Sequence, residues 1–147
     1  MKKTFSIEWL SEPEGQDYPA AISYLSLIYN TDKATKFAQE LQKSPIVTFK
    51  SKDIFRASSL SLLVEDNYHV KKNIKKIEEG TKLSPILLIR DSINGKVVIA
   101  DGYHRLCAVY RFDEDALIPC KIYWCLKYKK MNVKWIAEVF FKGYSLF

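Results

Sequence analysis

Apolar and polar positions recur along the chain with two periods, and the change of period separates helices from strands. In residues 18–29, YPAAISYLSLIY, the residues Ala21, Tyr24, Leu25 and Ile28 fall at helical spacing. Asn30, Thr31 and Asp32 break that pattern, and Thr31 or Asp32 is placed to cap a second helix over residues 33–43. Pro45 closes this section. The β-branched run IVTF, residues 46–49, predicts a strand, and residues 50–67 read as a loop. Residues 69–80, HVKKNIKKIEEG, place Val70, Ile74 and Ile77 on one helix face with Gly80 past its end.

The most legible stretch is PILLIRDSINGKVVIADG, residues 85–102, where apolar runs at 86–89 and 97–100 flank Asn94-Gly95, a strong hairpin signal. A helix over 103–112 and a strand over 118–126 follow. In the tail, Val133, Ile136, Ala137, Phe140 and Phe141 form an amphipathic helical stripe stopped by Gly143. Its apolar surplus, with Trp135 and Val139 off the stripe, leaves room for a homodimer contact. The order of elements predicts an α+β fold with a mixed sheet flanked by helices. Its sections are a helical N-terminal extension (1–44), a core (45–126) and a basic, aromatic C-terminal helix (127–147) within one compact domain.

Composition narrows the function classes. The chain has 147 residues, 48% of them hydrophobic and 27% charged, which excludes a disordered polymer. No apolar run approaches the roughly 20 residues that span a bilayer, so a membrane is not an expected partner. Glu8 interrupts the apolar start, and no leader is expected. Three cysteines, Cys107, Cys120 and Cys125, cannot all pair in one chain, which suits reduced thiols and a cytoplasmic location. The formal net charge of +6 concentrates in the tail, where Lys121, Lys127, Lys129, Lys130, Lys134 and Lys142 face Glu138 alone. The body is close to neutral. That disfavours DNA as the main partner of the core and leaves duplex binding through tail lysines such as Lys129 and Lys130 as the alternative.

The candidate chemistry centres on Asp101-Gly102-Tyr103-His104-Arg105. A strand that turns through Asp101 and Gly102 into a helix leaves the first amides of that helix unpaired. Those donors and the positive end of the helix dipole attract anions, and glycine permits close approach. His104 and Arg105 project from the first turn, where the dipole disfavours cations unless something negative is bound. A guanidinium fork and an imidazole suit phosphate oxygens. The same residues also fit a plainer arrangement, with Asp101 as an N-cap and Arg105 paired to Asp101 or Glu114.

This pentapeptide, set after a hairpin and before a helix with Ile118-Pro119-Cys120 farther on, resembles the signature region of the ParB/sulfiredoxin superfamily. The resemblance covers about residues 45–126. Sulfiredoxins carry Gly-Gly-Cys-His-Arg there, ParB proteins Gly-Glu-Arg-Arg, and free-serine kinases Asp-Gly-His-His-Arg, which this chain matches at every position but Tyr103. The span is also similar to small bacterial ParB-like proteins of unassigned activity that share the segments Asp17-Tyr18-Pro19-Ala20-Ala21, Lys52-Asp53-Ile54 with Arg56-Ala57-Ser58, and Ile99 to Arg105. The resemblance implies a nucleotide phosphate site at Gly102, His104 and Arg105. Tyr103 in place of the sulfiredoxin cysteine argues against sulfinic acid reduction. The stretch after residue 126 is too short for the DNA-binding and dimerisation regions of partition proteins.

By the same resemblance, His69 stands where sulfiredoxins place a phosphate-binding lysine. Lys72 shares its helix face, so two helix mouths would converge on one triphosphate. Asp53 lies near where the kinases place a catalytic glutamate, beside Lys50, Lys52 and Arg56 in the expected loop, with Lys52 a further candidate phosphate ligand; an ordinary exposed loop fits these residues as well. Lys71, Lys75 and Lys76 read as a solvated face. Zinc is not expected, because His104 and the three cysteines lack short ligand spacing. The expected function is a nucleotide-binding domain for ATP, ADP or CTP, and as an enzyme it would be a phosphotransferase or nucleotide hydrolase. Magnesium would accompany the nucleotide, with Asp101 as ligand or base. A DNA-binding or nuclease module and a non-catalytic partner-binding domain are the alternatives.

Overall fold

The computed structural model describes residues 6–125 and has an α+β architecture. Its elements are α1 (Asp17–Leu25), α2 (Thr31–Lys43), β1 (Val47–Lys50), α3 (Ser51–Ser58), α4 (Tyr68–Glu78), β2 (Ile86–Asp91), β3 (Lys96–Asp101), α5 (Tyr103–Phe112) and β4 (Leu117–Trp124). The expected tail helix, its dimer contact and its lysines lie outside the described residues. Among the described residues no helix is long and apolar enough to cross a membrane.

The four strands form one mixed sheet in the order β1-β4-β2-β3. β2 and β3 make the antiparallel hairpin predicted from Asn94-Gly95, and Gly95 takes a φ of +62° in its turn. β4 pairs antiparallel with β1 and parallel with β2, with Cys120 opposite both Val47 and Ile86.

β2 is apolar on both faces because helices cover both. Ile86 and Leu88 pack with Ile54 of α3, Val70 and Ile77 of α4 and Leu106 of α5. Leu87 and Ile89 pack on the opposite side with Ala21 and Leu25 of α1 and Phe37 and Leu41 of α2. The N-terminal helices therefore buttress the sheet on the face away from α4 and α5. Lys121 of β4 reinforces this layer: buried, it donates to the carbonyl of Gln42 at 2.9 Å and pairs with Glu12 at 2.8 Å.

Two local expectations need correction. The cap of α2 is Asn30, whose side chain accepts from Lys33 N–H at 2.8 Å; Thr31 and Asp32 already lie inside the first turn. Residues 51–58, expected as loop, are helix α3. Contacts distant in sequence fix that helix: Ser51 Oγ donates to the carbonyls of Asp113 and Glu114, and the amides of Ser51 and Lys52 donate to those of Ala116 and Glu114. Lys52 and Asp53 are therefore helical residues.

β2 contributes to two apolar clusters, one on each face of the sheet. Leu87→Ala and Leu88→Ala should each cost about 2–5 kcal/mol in urea unfolding. A neutral Leu87→Ala would show that the α1–α2 layer is not part of the cooperative unit.

Candidate functional site

The corner between β3 and α5 is shaped by a β-bulge. Leu88 pairs with Ile99, yet Leu87 pairs with Asp101, so Ala100 is the extra residue. Paired residues share a sheet face, and Leu87 faces α1. The bulge thus turns Asp101 toward α1 instead of letting it alternate back toward α5. Gly102 follows with a φ of +111°, and a Cβ there would stand 2.9 Å from Ile86 Cγ1 and 3.0 Å from Arg105 Nη2. Only glycine fits this turn without displacement.

α5 begins with no side-chain cap. Its first backbone bond runs from Leu106 N–H to the carbonyl of Gly102 at 2.9 Å, which leaves the amides of Tyr103, His104 and Arg105 without an intrahelical acceptor. α4 differs. Asn67 accepts from the amides of His69 and Val70 at 3.0 and 3.2 Å, so its mouth is closed. The expected pair of open helix mouths reduces to one, and α4 supplies side chains alone.

Those side chains form a stripe at helical spacing. His69, Lys72, Asn73 and Lys76 line a hollow of about 200 Å³ whose other wall runs from Asp101 to Arg105. The rings of His69 and His104 lie 4.8 Å apart, centroid to centroid, inclined at 46°. Burial lowers the pKa of His104 from its ordinary 6.5, and the nearby His69 and Arg105 lower it further. The Tyr103 hydroxyl donates to the carbonyl of Ser61 and ties the loop before α4 to this corner.

Arg105 makes the pairing with Asp101 that the plainer arrangement expects. Its Nη2 lies 3.0 Å from Asp101 Oδ2, 3.8 Å from Asp17 Oδ2 and 3.4 Å from the carbonyl of Pro85. Its side chain is 17% exposed, and its Nε is buried with no hydrogen-bond partner among the described residues. One arm of the fork thus holds the corner together. Ser84 Oγ donates to Asp17 and accepts from the amide of Glu14, which fixes the acid. Burial raises the pKa of Asp101 against the lowering effect of Arg105, and the neighbouring Asp17 raises it further. Asp101, expected as a metal ligand or base, is therefore occupied with Arg105.

Of the expected site residues, the fold brings together His69, Lys72, Asp101, Gly102, His104 and Arg105. Lys52 and Asp53 stand elsewhere. Lys52 binds Asp115 at 2.6 Å, while Asp53 pairs with Arg56 at 3.6 Å and lines a small apolar cavity with Phe49 and Ile54. Sequence reasoning missed Lys76, which completes the stripe one turn beyond Lys72. It also missed Asp17, whose signal was an acid one turn before Ala21 on the buried face of α1. Cys107 is no candidate nucleophile: it is buried, and burial raises its thiol pKa.

A larger cleft of about 690 Å³ lies between the 62–65 loop and α5. Its charged lining is Glu65, Asp113, Glu114 and Arg111, the last already paired with Glu65, which suits no phosphate. Comparison with protein-family models, with curated proteins and with solved structures found no match to this chain.

Gly102→Ala should destabilise the protein by about 1–3 kcal/mol through its left-handed backbone and the contact with Ile86. Thermal unfolding checks this, and an unchanged midpoint would contradict it. The lowered pKa of His104 also carries a sign. An imidazole harder to protonate in the folded chain than in the unfolded one contributes stability above pH 6.5 that is lost as pH falls through its folded pKa. Urea unfolding from about pH 8 to about pH 5 should show a shallower acid decline for His104→Asn than for the parent protein. Parallel profiles would contradict the shift.

Proposed function

We propose that the chain is a nucleotide phosphate-binding protein of ParB/sulfiredoxin type, with the anion seated at the mouth of α5. One observation carries this reading. Two imidazoles 4.8 Å apart and two lysines of α4 surround an uncapped helix N-terminus in a polar hollow. Free amides, the helix dipole and cationic side chains are the donor set that phosphate oxygens require. A volume near 200 Å³ falls below the roughly 300–1,000 Å³ of whole-ligand pockets. The hollow thus suits phosphoryl groups, with the nucleoside outside it.

The division of labour differs from the expected one. His69, His104, Lys72 and Lys76 face the anion, while Arg105 works mainly through the corner. Magnesium is normally held by one or two carboxylates together with substrate phosphates. Among the described residues, the one carboxylate lining this hollow, Asp101, is bound to Arg105 and disfavoured as an anion by burial. The residues present do not fit a protein-held magnesium ion, and charge neutralisation falls to the lysines, with the imidazoles as hydrogen-bonding groups. Placement in a reaction class beyond phosphate binding rests on the histidine pair.

Calorimetry with inorganic pyrophosphate, ADP, ATP and CTP, each with and without magnesium, tests this reading. Binding should persist without magnesium, and Lys72→Ala and His104→Ala should each weaken it about tenfold or more, the worth of a charge-assisted hydrogen bond. Lys52→Ala, outside the hollow, should bind like the parent protein. Absence of binding by every probe, or equal binding by the Lys72 and His104 variants, would overturn the proposal.

A further inference from the structure

The geometry points to a further activity: we infer that His69 and His104 are an acid–base pair that cleaves RNA phosphodiesters by internal transphosphorylation. This rests on the phosphate-binding reading and names its substrate class. The argument starts from what the hollow holds. It has two proton-carrying side chains side by side, cations on one wall and helix N-terminal amides on the other, with no carboxylate among the described residues free to hold a metal ion or to act as base. Chemistry on a phosphate in such a site has to run on proton transfer and charge stabilisation alone. Hydrolysis of an anhydride or transfer to a separate acceptor would need a further group to position water or acceptor. A ribonucleotide diester brings its own nucleophile, the 2′-hydroxyl, already held beside the phosphorus.

The step balances with the residues present. Neutral His104 takes the proton of the 2′-hydroxyl as O2′ bonds to phosphorus. The bond from phosphorus to O5′ breaks with its electron pair on oxygen, and protonated His69 gives O5′ its proton. The products are a 2′,3′-cyclic phosphate and a 5′-hydroxyl, and proton exchange with water resets the two rings. His104 is the base because it is the less exposed ring beside the Arg105 guanidinium, an environment that keeps imidazole neutral. His69 is exposed at the rim, where the leaving group departs. Lys72 and Lys76, with the amides of Tyr103 to Arg105, face the charge gathering on the non-bridging oxygens.

The test uses the full chain, excess EDTA and the ribodinucleotide uridylyl-adenosine, with the analogue lacking the uridine 2′-hydroxyl as control. The expected result is release of adenosine and uridine 2′,3′-cyclic phosphate from the ribose substrate only. His69→Ala and His104→Ala should each reduce the rate about 100-fold or more, the usual worth of a general acid or base, while Lys52→Ala leaves it unchanged. Thermal unfolding confirms that each variant is folded. Pyrophosphate calorimetry on the same preparations separates the two readings. Binding of pyrophosphate without cleavage overturns the acid–base inference and leaves the phosphate site standing, whereas loss of both overturns both. Cleavage of the deoxy analogue, or cleavage undiminished in both histidine variants, also overturns the inference.

Discussion

The partly buried ion cluster of Arg105, Asp101 and Asp17 is the constraint on which the rest of the corner depends. A guanidinium in the first turn of a helix opposes the helix dipole, and burying it adds a desolvation cost. The fold meets both by bringing two carboxyls to one guanidinium arm, one from the end of β3 and one from α1. Every unusual backbone feature nearby serves that meeting. The bulge at Ala100 turns Asp101 toward α1, Gly102 leaves room for Arg105 Nη2, and the chain before α1 pairs with Leu83 and Ser84 before it presents Asp17.

This internal pairing changes what the site offers to solvent. Because one arm of Arg105 is held by Asp101 and Asp17, the other donors that line the hollow are the amides at the start of α5, the imidazoles of His69 and His104, and the ammonium groups of Lys72 and Lys76. The plainer alternative, in which Arg105 pairs with Asp101, is realised at this corner, and the pairing leaves the α4 side chains and the amides of α5 as the groups that line the hollow. The α1–α2 layer contributes by support: its acid anchors the corner from behind, on the face opposite α4 and α5.

Much of the fold was legible because local chemistry and tertiary structure agree. Asn94-Gly95 between two apolar runs made the hairpin, and Val70, Ile74 and Ile77 marked the buried side of α4. What escaped was decided at long range. α3 has Ile54 as its one buried apolar residue, and carbonyls beyond α5 hold its first turn, so no local pattern announced it. The parallel pairing of β2 with β4 likewise has no local signature. In the site, the DGYHR corner and His69 with Lys72 were visible, since a glycine turn and a helical stripe are local features. Asp17 was not, because its partners Ser84 and Arg105 are remote in sequence. Lys76 sat among lysines that mostly face water, and the stripe distinguishes it only once the hollow is known.

The central claim is that phosphate oxygens sit at the mouth of α5, beside the two imidazoles. An NMR titration of the isotope-labelled chain with inorganic pyrophosphate tests it most directly. Saturable shifts should appear at the amides of Tyr103, His104 and Arg105 and at the ring protons of His69 and His104, in one common binding curve. Saturable shifts centred elsewhere, with these groups unmoved, would contradict the account.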